Sequence, residues 1–159
     1  MDDLRKLLKS IPYPLALLTA CRGDKINAMP VSWMGQVSSD PPMIQVAVKP
    51  KRYTHDMIRD TGRFALVFLS KGQQDLIPKF KAKGDDRSKK FEGLKFRETP
   101  AGCPILDDAV GWMDCRSVSM TRPGDHTLFV AEITDAKLNS EEETLTLAHF
   151  GKDYHYGIK

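Results

Sequence analysis

The stretch INAMPVSWMGQVSSDPPMIQVAVKPKRYTHDMI, residues 26–58, decides how the chain is read. Its first part, residues 26–37, is largely apolar and reads as a strand with Pro30 inside it. Proline has no N–H to give a sheet ladder, so Pro30 marks an edge or a bulge. The corner at 37–43 then interrupts with two serines, an aspartate and two prolines. Pro41 and Pro42 remove two backbone donors and favour extended geometry. Such a corner either stops one strand and starts the next, or holds the amides of Ser38, Ser39 and Asp40 rigidly out of the sheet. An apolar strand at 43–49 follows. Lys49, Lys51, Arg52 and the Thr54 hydroxyl then precede a helix at 54–62, with Thr54 as its cap and Gly62 as its stop. A helix start offers unpaired N–H groups and partial positive charge, and arginine adds a two-pronged donor. The group suits a phosphate; the alternative is a plain N-cap beside surface cations.

Outward from this stretch the pattern stays mainly β. Residues 15–20 and 63–70 are short apolar runs of strand length. Residues 112–120 and 126–134 flank TRPGD, a hairpin loop, and 144–150 read as a last short strand. Gly23-Asp24 supplies a turn. Helical signals are fewer: Leu4, Leu7 and Leu8 share a face at the N-terminus, residues 72–83 carry Leu76 and Phe80 at helical spacing with Pro78 as a kink or early stop, and residues 104–110 allow one turn. About seven strands with two or three short helices spell a small β-barrel in one domain, residues 1–159. Residues 81–102 show the weakest regular pattern, and a long irregular segment in a compact domain is often functional.

The bulk numbers exclude several classes. The 159 residues are 41% hydrophobic, enough to build a core. No apolar run approaches the roughly 20 residues of a membrane span, and the charged N-terminus lacks a signal-peptide core; the expectation is a cytoplasmic protein that contacts no membrane. Three widely spaced cysteines, Cys21, Cys103 and Cys115, argue against a disulfide framework or a zinc site, and no metal is expected. Hydrolase motifs, GxGxxG and the P-loop pattern are absent. A net charge of +3 is too mild to imply nucleic acid. The lysines and arginine crowded between Lys79 and Lys90 form either a solvated loop or a collar for a phosphorylated ligand. His126 stands out because it follows Pro123-Gly124-Asp125 in a tight loop.

With these residues in view, the sequence resembles the flavin reductase-like family, whose fold is an FMN-binding split β-barrel of Greek-key type with six to seven strands and short peripheral helices. The resemblance rests on Asn27-Ala28-Met29-Pro30-Val31-Ser32, Ser38-Ser39-Asp40-Pro41-Pro42, Thr54, Gly62-Arg63-Phe64, the KKFEG segment at 89–93 and the Gly124-Asp125-His126 strand start. It covers about residues 12–135, and the C-terminal HFGKDYHYGIK is similar to the flavoredoxin-type branch. Val67 departs from the family, which often carries Asn there. The resemblance implies a homodimer binding FMN, with FAD possible, and using NAD(P)H as co-substrate. It places Met29, Pro30, Val31, Ser32 and Trp33, with Ser38, Ser39, Asp40 and Pro41, along the ring and ribityl chain. It puts Arg52, Thr54 and His55 near the phosphate, Lys89 or Lys90 approaching it, and His126 on the nicotinamide. The implied activity is hydride transfer from NAD(P)H to the flavin and onward to an acceptor. The alternative is an FMN-bound electron carrier reduced by a protein partner.

Overall fold

The computed structural model describes residues 2–82 and 88–151. Lys83, Arg87 and the residues from Lys152 onward lie outside the described residues, so the cationic segment and the C-terminal HFGKDYHYGIK are each covered only in part.

Seven strands form one antiparallel sheet: β1 (Ala16–Arg22), β2 (Lys25–Val31), β3 (Met34–Ser39), β4 (Pro42–Val48), β5 (Arg63–Phe68), β8 (Gly111–Thr121) and β9 (Thr127–Leu138). The remaining two, β6 (Phe96–Glu98) and β7 (Pro104–Leu106), pair with each other. The order in the large sheet is β2-β1-β5-β8-β9-β4-β3. Its edge strands β2 and β3 are consecutive in sequence, joined only by Ser32 and Trp33. Laid flat, seven strands would span roughly 29 Å at about 4.8 Å per neighbour. Two linking residues reach only about 11 Å from Val31 to Met34. The sheet therefore curls until the Val31 end of β2 and the Met34 end of β3 lie within that reach, which makes it a split barrel. The Ala47 N–H donates to the Trp33 carbonyl at 2.9 Å, carrying the β3–β4 ladder into the linking residues. Pro30 lies in β2, an edge strand, as its missing N–H requires. What reads in the sequence as one strand at 26–37 is thus two, turned at Ser32-Trp33.

Alternation along the strands separates two cores. Leu18, Val46, Phe64, Leu66, Cys115 and Phe129 point into the barrel, where Met57 and Ile58 of helix α2 (Tyr53–Thr61) plug one end. Leu17, Ala65 and Val67 face the other way, under Ile77 and Phe80 of helix α3 (Leu76–Lys81) and under β7. Because β1 and β5 serve both cores, they are buried on both faces and read as continuous apolar runs. Val67 packs in the second core and is fully buried. Burial pushes the Cys115 thiol up to about 12, in keeping with its place inside the barrel.

Three local expectations change. Residues 104–110 begin with strand β7, which finds its partner in β6. Residues 144–150 make single bridges at Thr144 and Thr146, then a 3-10 turn at Leu147–Phe150 closed by Thr146 and His149. Helix α1 (Asp2–Ser10) forms as its leucines suggest, yet Leu4 and Leu7 stay exposed and nothing on it is buried. No described helix is long and apolar enough to cross a membrane.

Candidate functional site

Of the clefts at the barrel seam, two adjoin at Met29, Lys49 and Arg52. The first, about 220 Å³, is lined by Met29, Pro30, Val31, Ser32 and Trp33 from the β2–β3 corner, and by Ala47 and Lys49 from the end of β4. Arg52, Lys81 and His126 complete it. The second, about 360 Å³, shares Met29, Lys49 and Arg52 and adds Asn27, Lys51, Tyr53, Thr54, Ala82 and Lys90. The first half carries more of the apolar lining and the Trp33 indole, though Lys49, Arg52 and Lys81 also reach it; the second is the more cationic, with Lys49, Lys51, Arg52 and Lys90.

Chain geometry explains the division. β4 ends at Val48, and the chain passes through Lys49 and Lys51 into the first turn of α2. Arg52 is the N-cap, with extended backbone (φ −81°, ψ 137°) and no side-chain capping bond. Thr54 is therefore not the cap the sequence suggests: it lies inside the first turn, and its hydroxyl accepts from Asn27 Nδ2 at 2.9 Å. The opening of α2 thus keeps its positive end for a ligand. Lys90 Nζ donates to the Ala28 carbonyl at 2.8 Å, covering the open edge of β2 while lining the cationic half.

His126 sits at the mouth of the apolar half. Its Nδ1 donates to the Asp125 carboxylate at 2.6 Å, and the bond holds that carboxyl below the usual range. Its ring lies 4.6 Å from Trp33, tilted by 42°. With Nδ1 engaged, Nε2 is left to meet a ligand.

Other expected residues are placed elsewhere. Ser38 and Ser39 end β3, and Asp40-Pro41, joined by a cis peptide, turn the chain into β4. None of the four lines either cleft. Six residues of extended β4, roughly 20 Å, separate this turn from the Val48 end. The prolines stop one strand and start the next. His55 is buried at 6% exposure and occupied: Nδ1 donates to Asp56 at 3.1 Å, and the Thr127 hydroxyl donates to Nε2 at 2.8 Å. It ties α2 to β9 and lines neither cleft. Lys89 is exposed and outside both linings. Sequence reading missed Ala47 and the Asn27 side chain, and saw Lys81 only as one of a crowd. The helical spacing of Ile77 and Phe80 could have found Lys81, since it fixes which way the last turn of α3 points.

Two buried polar atoms of the lining residues, Asn27 Oδ1 and Trp33 Nε1, have no hydrogen-bond partner among the described residues. A buried unpaired group costs about 1–3 kcal/mol, so both suit a ligand that carries donors and acceptors.

Residues 8–157 match the flavin reductase like domain. The chain belongs to the flavin reductase-like family. It is 31% identical to diflavin flavoprotein A 1 of Synechocystis over 98% of this chain and 27% of that protein. It is 27% identical to a ferric-chelate reductase (NAD(P)H) of Archaeoglobus fulgidus over 91% of this chain and 85% of that protein. The structure of an FMN-binding protein from Thermus thermophilus matches with a TM-score of 0.73 at 26% identity, covering 81% of this chain and 72% of that one. This flavin reductase-like chain thus spans about a quarter of the diflavin flavoprotein and most of the ferric-chelate reductase. The fold is the split barrel expected of the family.

Proposed function

We propose that this protein is a flavin-binding oxidoreductase that takes hydride from NAD(P)H onto bound FMN and passes the electrons to a downstream acceptor. The observation that carries this is the division of the seam into an apolar aromatic half and a cationic half at a helix start. FMN has the same division: a flat ring, a hydroxylated chain and a phosphate. Arg52, Lys49, Lys51, Lys90 and the first turn of α2 would hold the phosphate. Asn27 and Trp33, whose Oδ1 and Nε1 are an unpaired acceptor and an unpaired donor among the described residues, belong to the linings of the two halves. Met29 to Trp33 and Ala47 would line the ring. When bound, the flavin itself supplies the redox chemistry, accepting electrons as hydride and releasing them to an acceptor.

The chain's own work is binding, orientation and exclusion of water. Trp33 fixes the His126 ring by contact, and Asp125 fixes its tautomer. His126 can then present one nitrogen to the carboxamide of a nicotinamide at the cleft mouth. His126→Ala is expected to slow anaerobic flavin reduction by NADH or NADPH about 10- to 100-fold, the scale of one lost positioning contact, with FMN affinity changed less than about threefold. Stopped-flow absorbance at the flavin band reads this. Unchanged reduction in the variant removes His126 from the nicotinamide site.

The family resemblance further implies a homodimer, and surface apolar residues support it: Val37 on β3 and Val118 and Met120 on β8 are each about half exposed. Such residues favour burial against a second copy. Sedimentation at micromolar concentration is expected to give twice the chain mass, whereas a single-chain mass would leave these residues to another partner.

A second reading is an FMN-bound electron carrier without direct NAD(P)H use. The match to one quarter of a diflavin flavoprotein favours it, because there the domain is one module of a larger flavoprotein. Anaerobic mixing with NADH and with NADPH separates the two: bleaching of the flavin by either supports the reductase, and none by both supports the carrier.

A further inference from the structure

Within the flavin assignment proposed above, on which this step rests, we infer that Lys81 is the cation set at the ring end of the cleft, where it stabilises the reduced, negatively charged flavin relative to the oxidised one. The cations of the seam sort by position. Lys51 and Lys90 line only the cationic half, and Lys49 and Arg52 line both. Lys81 lines only the apolar half, with Met29, Val31, Trp33 and His126. A phosphate held at the start of α2 puts the ring in that apolar half, and so beside Lys81.

Lys81 is well held for such a task. It ends α3, whose Ile77 and Phe80 are fully buried in the second core. The following residue, Ala82, lines the cationic half, so the end of α3 lies over the junction of the two clefts. The Lys81 side chain is half-buried, and desolvation lowers its pKa from the ordinary lysine value. A partly desolvated ammonium acts on a neighbouring ligand with less solvent screening than an exposed one. The flavin ring gains negative charge on reduction, and a fixed cation beside developing charge stabilises the charged form. Ser38 and Ser39, which the resemblance places along the ring and ribityl chain, stand exposed or half-exposed opposite the start of β4.

The test compares FMN-loaded wild type, Lys81→Met and Lys81→Arg by dye-coupled reductive titration, with FMN dissociation constants measured in both redox states. Lys81→Met is expected to bind oxidised FMN nearly as wild type does and to lose about tenfold in its preference for reduced FMN, a fall of about 30 mV in the two-electron midpoint potential. Lys81→Arg, which keeps the charge, should retain most of the wild-type potential. A potential unchanged in Lys81→Met overturns the role. So does an equal loss of affinity in both redox states, which would make Lys81 a mere anchor, and so does an arginine variant that falls as far as the methionine one. Failure of the wild type to take up any flavin overturns flavin binding itself and the Lys81 role with it. Flavin uptake with an unresponsive potential sinks only Lys81.

Discussion

Replacing Arg52 by alanine is expected to weaken FMN binding about 10- to 100-fold without unfolding the protein. Hydrogen bonds to a charged group contribute about 1.5–3 kcal/mol, and each 1.4 kcal/mol is about tenfold in affinity. Arg52 lines both halves of the seam and stands at the positive end of α2, so its guanidinium has a phosphate within its natural reach. Its capping role is carried by backbone, and no side-chain capping bond is lost. Riboflavin, which lacks the phosphate, should lose much less than FMN, and added salt should narrow the difference between wild type and variant. Fluorescence-quenching titrations of both ligands read the effect. Equal losses for FMN and riboflavin would mean that Arg52 shapes the cleft and does not grip the phosphate.

Phe64→Ala is expected to cost about 3–5 kcal/mol of stability, the usual range for emptying a fully buried phenylalanine site. Phe64 is completely buried in the barrel interior and stands opposite Cys115 across the β5–β8 ladder. Net stabilities are about 5–15 kcal/mol, so the loss is a large share of the total. Flavin retention should fall with it on warming, because the clefts exist only while the sheet is curled enough to bring β2 and β3 together. Urea denaturation should show a lower midpoint at an unchanged slope. A cost below about 1 kcal/mol would mean the interior closes over the gap, and the barrel would be softer than its packing indicates.

Much of this was legible in the sequence where local pattern and tertiary environment agree. The apolar run at 43–49 does form strand β4, and its Ile44, Val46 and Val48 fill the barrel. The loop 122–126 does join two long strands, and Gly62 does end α2 in the left-handed region at φ 68°. Arg52, Thr54, Lys90 and His126 could be singled out because charge or turn chemistry sets them apart, and all four line the clefts. The break at Ser32-Trp33 was not legible. No glycine or proline marks it, and what bends the chain there is the closing of the sheet, a long-range event. β6 and β7 were hidden for a related reason: three-residue strands carry too little pattern to announce a partner. The corner at 37–43 stays ambiguous in sequence because rigid backbone and hydroxyls serve a ligand or a plain hairpin equally well. Only the register of β3 on β4 shows that it closes the end away from the cleft. For His55, in the first turn of α2, the sequence cannot tell an imidazole facing a ligand from one bonded to Thr127.

The most direct measurement is the affinity of flavin-free protein for FMN against riboflavin. Phosphate capture at the start of α2 predicts that FMN binds at least about 100-fold more tightly, since two or more charge-assisted bonds separate the ligands, and that Arg52→Ala narrows that gap by about tenfold or more. Equal affinity for the two ligands, or no binding of either, would contradict it.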